Sequence, residues 1–340
     1  MTTPVSDLQS HTATSGLSGQ PDVPDEKKVE GRSPSQLAIE RYRKDKLSMV
    51  ALIIVAIYVL LAILAPILRH TGVLDPYTYH NSSKFLNIEL GSIPRGAFSG
   101  ATWNHPLGIE PGTGRDVASR LMMGIADSLT IALSATVLAM VIGTVLGIIA
   151  GFTGGLVDAS VGRLIDLTLS FPQTLMLLAL STTVVTLLVH IGVPAGDLAQ
   201  GTYVVVVLAA FGWPPIARVV RGQVLSIRER EFVEAAKLIG APRRRMYFKE
   251  ILPNLWAPLL VYFTLTMPAY ISAEAALAFL QVSVKPPTPT LGNILTDSIS
   301  YSQADFFFFF IPALLIAIIV VSFNLMGDGI RDALDPRGAR

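Results

Sequence analysis

The chain has 340 residues, of which 51% are hydrophobic and only 15% are charged, and its mean hydropathy is +0.54. Soluble domains carry about 25% charged residues, so this composition excludes an ordinary soluble domain and favours a membrane protein. The net charge of +1 gives no indication of a nucleic-acid partner, and none is expected. The absence of cysteine excludes disulfides, thiolate metal sites and cysteine nucleophiles.

The N-terminal region is the most polar part of the chain. Residues 1–40 are rich in Ser, Thr, Pro, Gly and Asp, and so few large apolar side chains predict a disordered tail. Residues 41–68 combine a basic stretch with the first apolar run, which indicates an anchor and a first transmembrane helix. No secretory signal peptide is expected, because the first 46 residues are polar.

Six apolar runs follow one another along the chain. A helix needs about 20 mainly apolar residues to cross a bilayer, and six runs meet that length. They cover residues 48–68, 126–152, 164–190, 202–220, 255–280 and 306–326. The sequence therefore predicts an all-α membrane protein with six transmembrane helices. In the second run, Gly143, Gly147, Gly151 and Gly154 recur on one side, a spacing that lets helix backbones pack closely.

The positions of the basic residues predict the orientation. With a cytoplasmic N-terminus, 20 of the 26 lysines and arginines fall in cytoplasmic segments. The positive-inside rule favours that topology, with both termini cytoplasmic and residues 69–125 extracytoplasmic. Within this extracytoplasmic segment, Gly114 to Gly124 is predicted to form a weak amphipathic helix at the membrane interface.

A polar segment, Arg221–Asn254, separates the fourth and fifth runs. It is too polar to cross a bilayer, and its regular residue pattern indicates an ordered element, not an irregular loop. Ala235 and Ala236 favour a helix and would give it a flat face, and Gly240 is a residue that ends helices in a left-handed turn. The segment is therefore predicted to contain a short docking helix between two membrane anchors.

Several motifs occur at spacings that together resemble one family. They are Glu234-Ala235-Ala236 with Gly240 and Leu252-Pro253, His105-Pro106-Leu107-Gly108, Gly114-Arg115-Asp116, Ser119-Arg120, Arg218 to Gln223, and Gly327 to Arg337. This set resembles the membrane subunits of ABC transporters, and in particular the C-type permease of dipeptide and oligopeptide importers. The resemblance covers roughly residues 40–340.

This resemblance implies a fold, partners and a site. The fold is a type I importer permease of the MetI-like kind, with its core at residues 126–328 and a cytoplasmic tail at 329–340. The implied partners are a second, homologous permease in a heterodimer, two ATP-binding subunits or domains, an extracytoplasmic peptide-binding protein and membrane lipid. The residues expected to dock the ATPase are Glu234, Ala235, Ala236, Gly240, Leu252 and Pro253.

No catalytic motif accompanies these features. The chain has no phosphate-binding GxxxxGK[ST] loop, no GxSxG elbow and no metal-ligand spacing among its five histidines, so no catalytic, cofactor or metal site is predicted. ATP is then expected to be hydrolysed by another chain. A membrane-embedded enzyme is disfavoured for the same reason.

Ionisable residues in or near the apolar runs are few. They are Asp127, Asp166, Glu274 and His190, and most lie near the predicted span ends. Such scarcity disfavours the main rival, an ion-coupled secondary transporter. Glu274 lies mid-run, where it either packs between helices or lines the translocation path. Relatives in the family that carry nickel complexes, glutathione or antimicrobial peptides remain alternatives for the substrate.

Overall fold

The computed structural model describes residues 34–80, 82 and 84–335, and this part of the chain is mostly helical. Its helices are α1 (Pro34–Lys44), α2 (Lys46–His70), α3 (Val117–Thr153), α4 (Gly155–Ser170), α5 (Gln173–Ala179), α6 (Ser181–His190), α7 (Asp197–Ile227), α8 (Glu231–Leu238), α9 (Arg243–Arg245), α10 (Trp256–Phe279), α11 (Leu291–Ile299) and α12 (Phe306–Leu334). A π-helical turn (Met246–Ile251) and a 3-10 turn (Leu252–Leu255) join α9 to α10. The short strands β1 (Leu86–Asn87) and β2 (Ile93–Pro94) form an antiparallel hairpin.

The predicted spans are confirmed in all but one case. In the described residues five helical stretches are long and apolar enough to cross a membrane, and they include α2, α3, α7 and α12, with the fifth running from Arg243 to Phe279. The predicted third span, 164–190, is not one helix. Pro172 ends α4 by holding Phe171 in an extended conformation, and α5 and α6 are bent by 53°. Counted as one broken span, that pair brings the total to six.

Side-chain contacts fix the directions of the spans. Helices α2 and α12 run antiparallel, because Ser48 and Tyr58 bond to the carbonyls of Leu325 and Leu315. Helices α3 and α10 are antiparallel by contacts between their side chains, and α3 is parallel to α7 by the glycine contacts described next. One end of the bundle therefore carries residues 71–116, and we name it the long-loop end. The opposite end carries residues 228–255, and we name it the basic-loop end.

Three glycines of α3 set its contact with α7. A Cβ added to Gly143, Gly147 or Gly151 would lie 2.7–2.9 Å from α7 atoms, first from Ile216, then Val220 and then Val224. These distances are too short for real carbon contacts, so the two backbones approach as closely as glycine allows. The glycine stripe predicted from the sequence is therefore a helix–helix contact within this chain. Gly154 differs, because it lies beyond the helix and caps its end.

Several predicted boundaries were wrong. Residues 34–40, assigned to the disordered tail, belong to α1, and Arg41 Nη1 of that helix donates to the Asp335 carbonyl at 2.9 Å. The remainder of that tail lies outside the described residues. The last helix continues to Leu334, well into the predicted C-terminal tail, because Gly329 packs directly against Ser48.

The segment 114–124 is not a separate interfacial helix. Asp116 caps α3 by accepting from the Ser119 amide at 2.7 Å, and the helix continues without a break through Thr153. Its first turns are buried, and Gly124 packs against Ile294 of α11. This stretch is therefore the start of the second span.

The close α3–α7 contact predicts the effect of adding one methyl group. Gly147→Ala should destabilise the protein by roughly 1–3 kcal/mol, because the new Cβ meets Val220 and the Ala217 carbonyl. Gly222→Ala in α7 is the control, since nothing lies within 4 Å of its added Cβ. Thermal unfolding in detergent measures both. Equal melting temperatures for the two variants would contradict the packing.

Candidate functional site

The basic-loop end is built around α8, which contains the predicted docking motif. The helix ends as predicted at Gly240, whose φ of 73° is left-handed. The Gly240 amide donates to the Lys237 carbonyl at 3.0 Å, and the Ala241 amide donates to the Ala236 carbonyl at 3.1 Å. This pair of bonds is a Schellman motif, and it needs a residue that accepts positive φ.

The two alanines of the motif do not share one face, which corrects the expected flat surface. Ala236 is buried with Val233 against the bundle, whereas Glu234 and Ala235 are exposed. Successive helical residues are rotated by about 100°, so Ala236 follows Val233 inward and Ala235 turns outward. Only Glu234 and Ala235 of the triplet remain available to another protein.

The rest of the segment leads directly into the fifth span. Met246, Ile251 and Leu255 are buried and hold it to the bundle. The predicted residues Leu252 and Pro253 lie in the 3-10 turn, where Leu252 is half-buried and Pro253 is exposed. This segment therefore continues into α10 without an intervening loop.

Aromatic and polar contacts fasten the same segment to the end of α3. The rings of Phe152 and Tyr247 meet edge to face at 5.3 Å, and Thr153 Oγ1 lies 3.3 Å from the Tyr247 hydroxyl. Arg228 Nη1 donates to the Gly151 carbonyl at 3.0 Å. Lys237 Nζ lies 5.6 Å from the Phe152 ring centre. The segment thus contacts both α3 and α10.

An exposed apolar patch lies beside the Gly240 turn, and sequence reasoning missed it. It comprises Leu238, which is 88% exposed, and Ile239, which is 73% exposed. Three exposed arginines, Arg243–Arg245, adjoin it. The available signal in the sequence was the presence of apolar residues at the end of α8 that do not fall on its periodically buried face. Exposed apolar surface rimmed by charge is typical of a protein contact.

Two ion pairs join α4 to α7. Arg221 donates to both carboxylate oxygens of Asp158, and Arg218 Nη2 lies 2.8 Å from Asp166 Oδ1. The bond from Arg221 lowers the pKa of Asp158 below its ordinary value. The pairing gives Arg218 and Arg221 specific partners, beyond the anchoring at the interface that arginines at a span end provide.

Glu274 is completely buried and hydrogen-bonded. Ser283 Oγ donates to its Oε1 at 2.9 Å, and Ser128 Oγ donates to its Oε2 at 3.1 Å. Thr290 and the Gly292 amide add further bonds to the carboxylate. One side chain therefore links α10, α3 and the start of α11. These contacts favour the packing interpretation of Glu274.

A buried charge cluster occupies the long-loop end, where the remaining motifs meet. Arg115 Nε lies 2.5 Å from Glu110 Oε2, and Arg120, only 1% exposed, lies 3.6 Å from Glu110 Oε1. Arg120 Nη1 also donates to the Pro287 carbonyl at 3.2 Å. The GRD and SR motifs thus join the long loop to the start of α3 and to the segment before α11.

The HPLG motif contributes to the same end. His105 Nδ1 lies 2.9 Å from Asp116 Oδ1, the carboxylate that caps α3. Gly108 has φ of 78°, and an added Cβ would lie 2.3 Å from the Ser99 carbonyl oxygen. Among the described residues no group of three or more His, Asp or Glu side chains is arranged to hold a metal ion.

Two family models match the chain. The model described as binding-protein-dependent transport system inner membrane component matches residues 143–340, and the N-terminal transmembrane domain of oligopeptide transport permease C matches residues 33–88. The chain therefore belongs to the family of binding-protein-dependent transport system inner membrane components, the permease subunits of ABC importers. Such subunits act with an ATPase and a substrate-binding protein.

Curated relatives match along most of their length. The dipeptide transport system permease of Alkalihalophilus pseudofirmus is 34% identical over 92% of this chain and 93% of its own. The oligopeptide transport system permease of Bacillus subtilis is 33% identical over 88% of each chain. A glutathione transport system permease of Escherichia coli is 30% identical over 90% of this chain and 91% of its own.

A solved structure supports the fold alone. It belongs to the methionine ABC transporter MetNI in an inward-facing conformation, with a TM-score of 0.50 and 20% identity. The match covers 62% of this chain and 94% of the other. The predicted MetI-like core is therefore confirmed at the level of architecture.

The bonds of Glu274 predict a stability change. Glu274→Ala leaves the hydroxyls of Ser128 and Ser283 without their buried acceptor and should cost about 1–3 kcal/mol. Glu274→Gln, which keeps an acceptor oxygen, should cost less. Glu229→Ala is the surface control, since that side chain is 65% exposed. Thermal unfolding in detergent measures the series, and a Glu274→Ala protein as stable as the control would contradict a packing role.

Proposed function

We propose that this chain is the transmembrane permease subunit of an ATP-driven importer that moves dipeptides and oligopeptides across the cytoplasmic membrane. The observation that carries the proposal is the basic-loop segment, which offers an exposed apolar turn and is fastened to two spans. The named functions of the Alkalihalophilus and Bacillus relatives support peptides as the substrate class. The glutathione permease relative supports glutathione, itself a peptide, as the second candidate.

We infer that the docking surface for the ATPase includes Glu234, Ala235 and the Gly240 turn, together with Leu238 and Ile239. Exposure of these residues supports the assignment. Ala236 and Leu252 act from behind this surface by holding it to the bundle, and Pro253 lies at its edge. This chain supplies no ATPase chemistry of its own in the proposal.

The remaining partners follow from the same proposal. A second, homologous permease completes a heterodimer, two ATP-binding subunits or domains supply energy, and an extracytoplasmic protein delivers the peptide. Five core spans provide half of a translocation path. The basic-loop end and both termini face the cytoplasm, and the long-loop end faces outward, as the distribution of lysine and arginine favours.

The proposed mechanism is rigid-body transmission. Closure of the ATPases moves the docked turn, and the contacts of Phe152 and Tyr247 pass that movement to α3. Because α3 and α7 are in close backbone contact, both spans tilt together. The direct continuation into α10 tilts the fifth span as well. The path then switches between outward-open and inward-open states.

Replacing the turn glycine tests the coupling. Gly240→Val should reduce dipeptide uptake at least about tenfold with the protein still inserted, because a β-branched residue in a left-handed conformation costs roughly 1–2 kcal/mol and distorts the turn. Gly240→Asn is the matched control, since asparagine accepts positive φ. Uptake and ATP hydrolysis are measured together in membrane vesicles. Full uptake by the valine variant would refute the docking role.

Reporter fusions test the orientation. An alkaline phosphatase fused at Lys84 should be active, because that enzyme folds only outside the cytoplasm, and one fused at Lys237 should be inactive. Fusions of a fluorescent protein that matures only in the cytoplasm should give the opposite pattern. The reverse assignment of both sites would overturn the proposed topology.

A further inference from the structure

A cavity of about 440 Å³ lies at the long-loop end, between α3 and the first turns of α7. Ile131, Leu198 and Val205 form an apolar wall, and Asp127 and Asp197 place two carboxylates in the same space. Specific polar groups set in an apolar cavity are the usual design of a small-ligand site. None of the roles described above uses this cavity.

Helix register places the two carboxylates together. Gly147 of α3 faces Val220 of α7. Moving back from this pair by the same number of residues along both helices brings Asp127 beside the first turn of α7. Asp127 lies ten residues into α3, about 15 Å along the helix from Val117. Asp127 is therefore within the predicted second span, 126–152, whereas Asp197 is the first residue of α7.

Among the described residues, neither carboxylate forms an ion pair with a basic side chain. Within the described residues Asp127 forms no hydrogen bond and no ion pair within 4.0 Å. Arg69 attracts it from further away, and that guanidinium lies over the Tyr77 ring at 4.7 Å. Asp197 accepts one hydrogen bond, from Thr288. The two acids also repel each other across the cavity.

The cavity is open to its surroundings. Leu198 is 59% exposed, and Thr130 and Ser134 are exposed as well. A carboxylate facing hydrocarbon costs several kcal/mol, so this opening does not suit lipid. It suits an aqueous path that admits a cation, which would relieve the repulsion between the acids.

We propose that this cavity is a binding site on the translocation path for a primary ammonium group attached to an apolar body. Such a group is a compact charge with three donors, enough for Asp127 and Asp197 together. The wall of Ile131, Leu198 and Val205 contacts the apolar part. In the transporter proposed above the ligand is the amino end of a peptide, and that identification rests on the proposed function.

Charge-selective labelling tests the site without any assumption about the substrate. The chain has no cysteine, so Ser134→Cys places a single thiol in this subunit at the cavity. The assembled transporter, with any cysteines of the partner subunits replaced by serine, is treated with cationic, anionic and neutral methanethiosulfonates. The labelling rate of each reagent is divided by the rate at which the same reagent reacts with a free thiol in solution. Ala101→Cys, exposed in the long loop, is the control position.

The cationic reagent should react with Ser134→Cys about tenfold faster than the anionic one after this correction, which corresponds to an interaction of about 1.4 kcal/mol. Adding Asp127→Asn and Asp197→Asn should remove the preference, and Ala101→Cys should show none. Equal corrected rates at Ser134→Cys would overturn the site. Failure of the neutral reagent to label Ser134→Cys would also overturn the site, because a partner subunit would then fill the cavity.

A second readout separates the ligand from the proposed function. A dipeptide with a free amino group should slow the labelling of Ser134→Cys, whereas its N-acetylated form should not. Equal protection by both, or by neither, would overturn the assignment to the ammonium end. Absence of peptide uptake by the wild-type transporter, with the charge preference intact, would instead refute the proposed function and leave a cation site.

Discussion

The contact between α3 and α7 is the constraint on which the rest of the structure depends. Gly143, Gly147 and Gly151 lie one helical turn apart and have no side chains to separate the two parallel spans. Parallel neighbours cannot be joined by a short turn, so α4, α5 and α6 form the return. Because this register is fixed along the whole contact, it also determines which residues meet at the two ends.

Each end is organised on that pair by polar and aromatic contacts. At the basic-loop end, Tyr247 packs on Phe152 and Arg228 bonds to Gly151, so the segment between α7 and α10 is attached to α3 itself. At the long-loop end, Glu274 bonds to Ser128 of α3 and holds the start of α11. The proposed ammonium site lies between the same two spans. A displacement applied at one end therefore has a direct route to the cavity at the other.

The sequence predicted what depends on local chemistry. Span positions follow from apolar run length, and the end of α8 follows from the need for glycine at positive φ at Gly240. Tertiary contacts decided the rest. The inward turn of Ala236 and the continuation of α12 past Gly329 each depend on a partner distant in sequence. The break at Pro172 is local, but it lies inside an apolar run whose length alone predicted one span. The pairing of Asp127 with Asp197 across two helices was equally invisible, because nothing in either local pattern indicates the other.

The most direct measurement of rigid transmission is a pair of distances by pulsed electron paramagnetic resonance. Spin labels at Glu229→Cys, just beyond the end of α7, and Thr130→Cys in α3 report the two ends of the α3–α7 unit in a chain that has no native cysteine. Rigid transmission predicts the same intrachain distance with and without ATP, while the distance from Glu229 to a label in the partner permease changes. An intrachain distance that changes on ATP binding, with the distance between subunits constant, would contradict it.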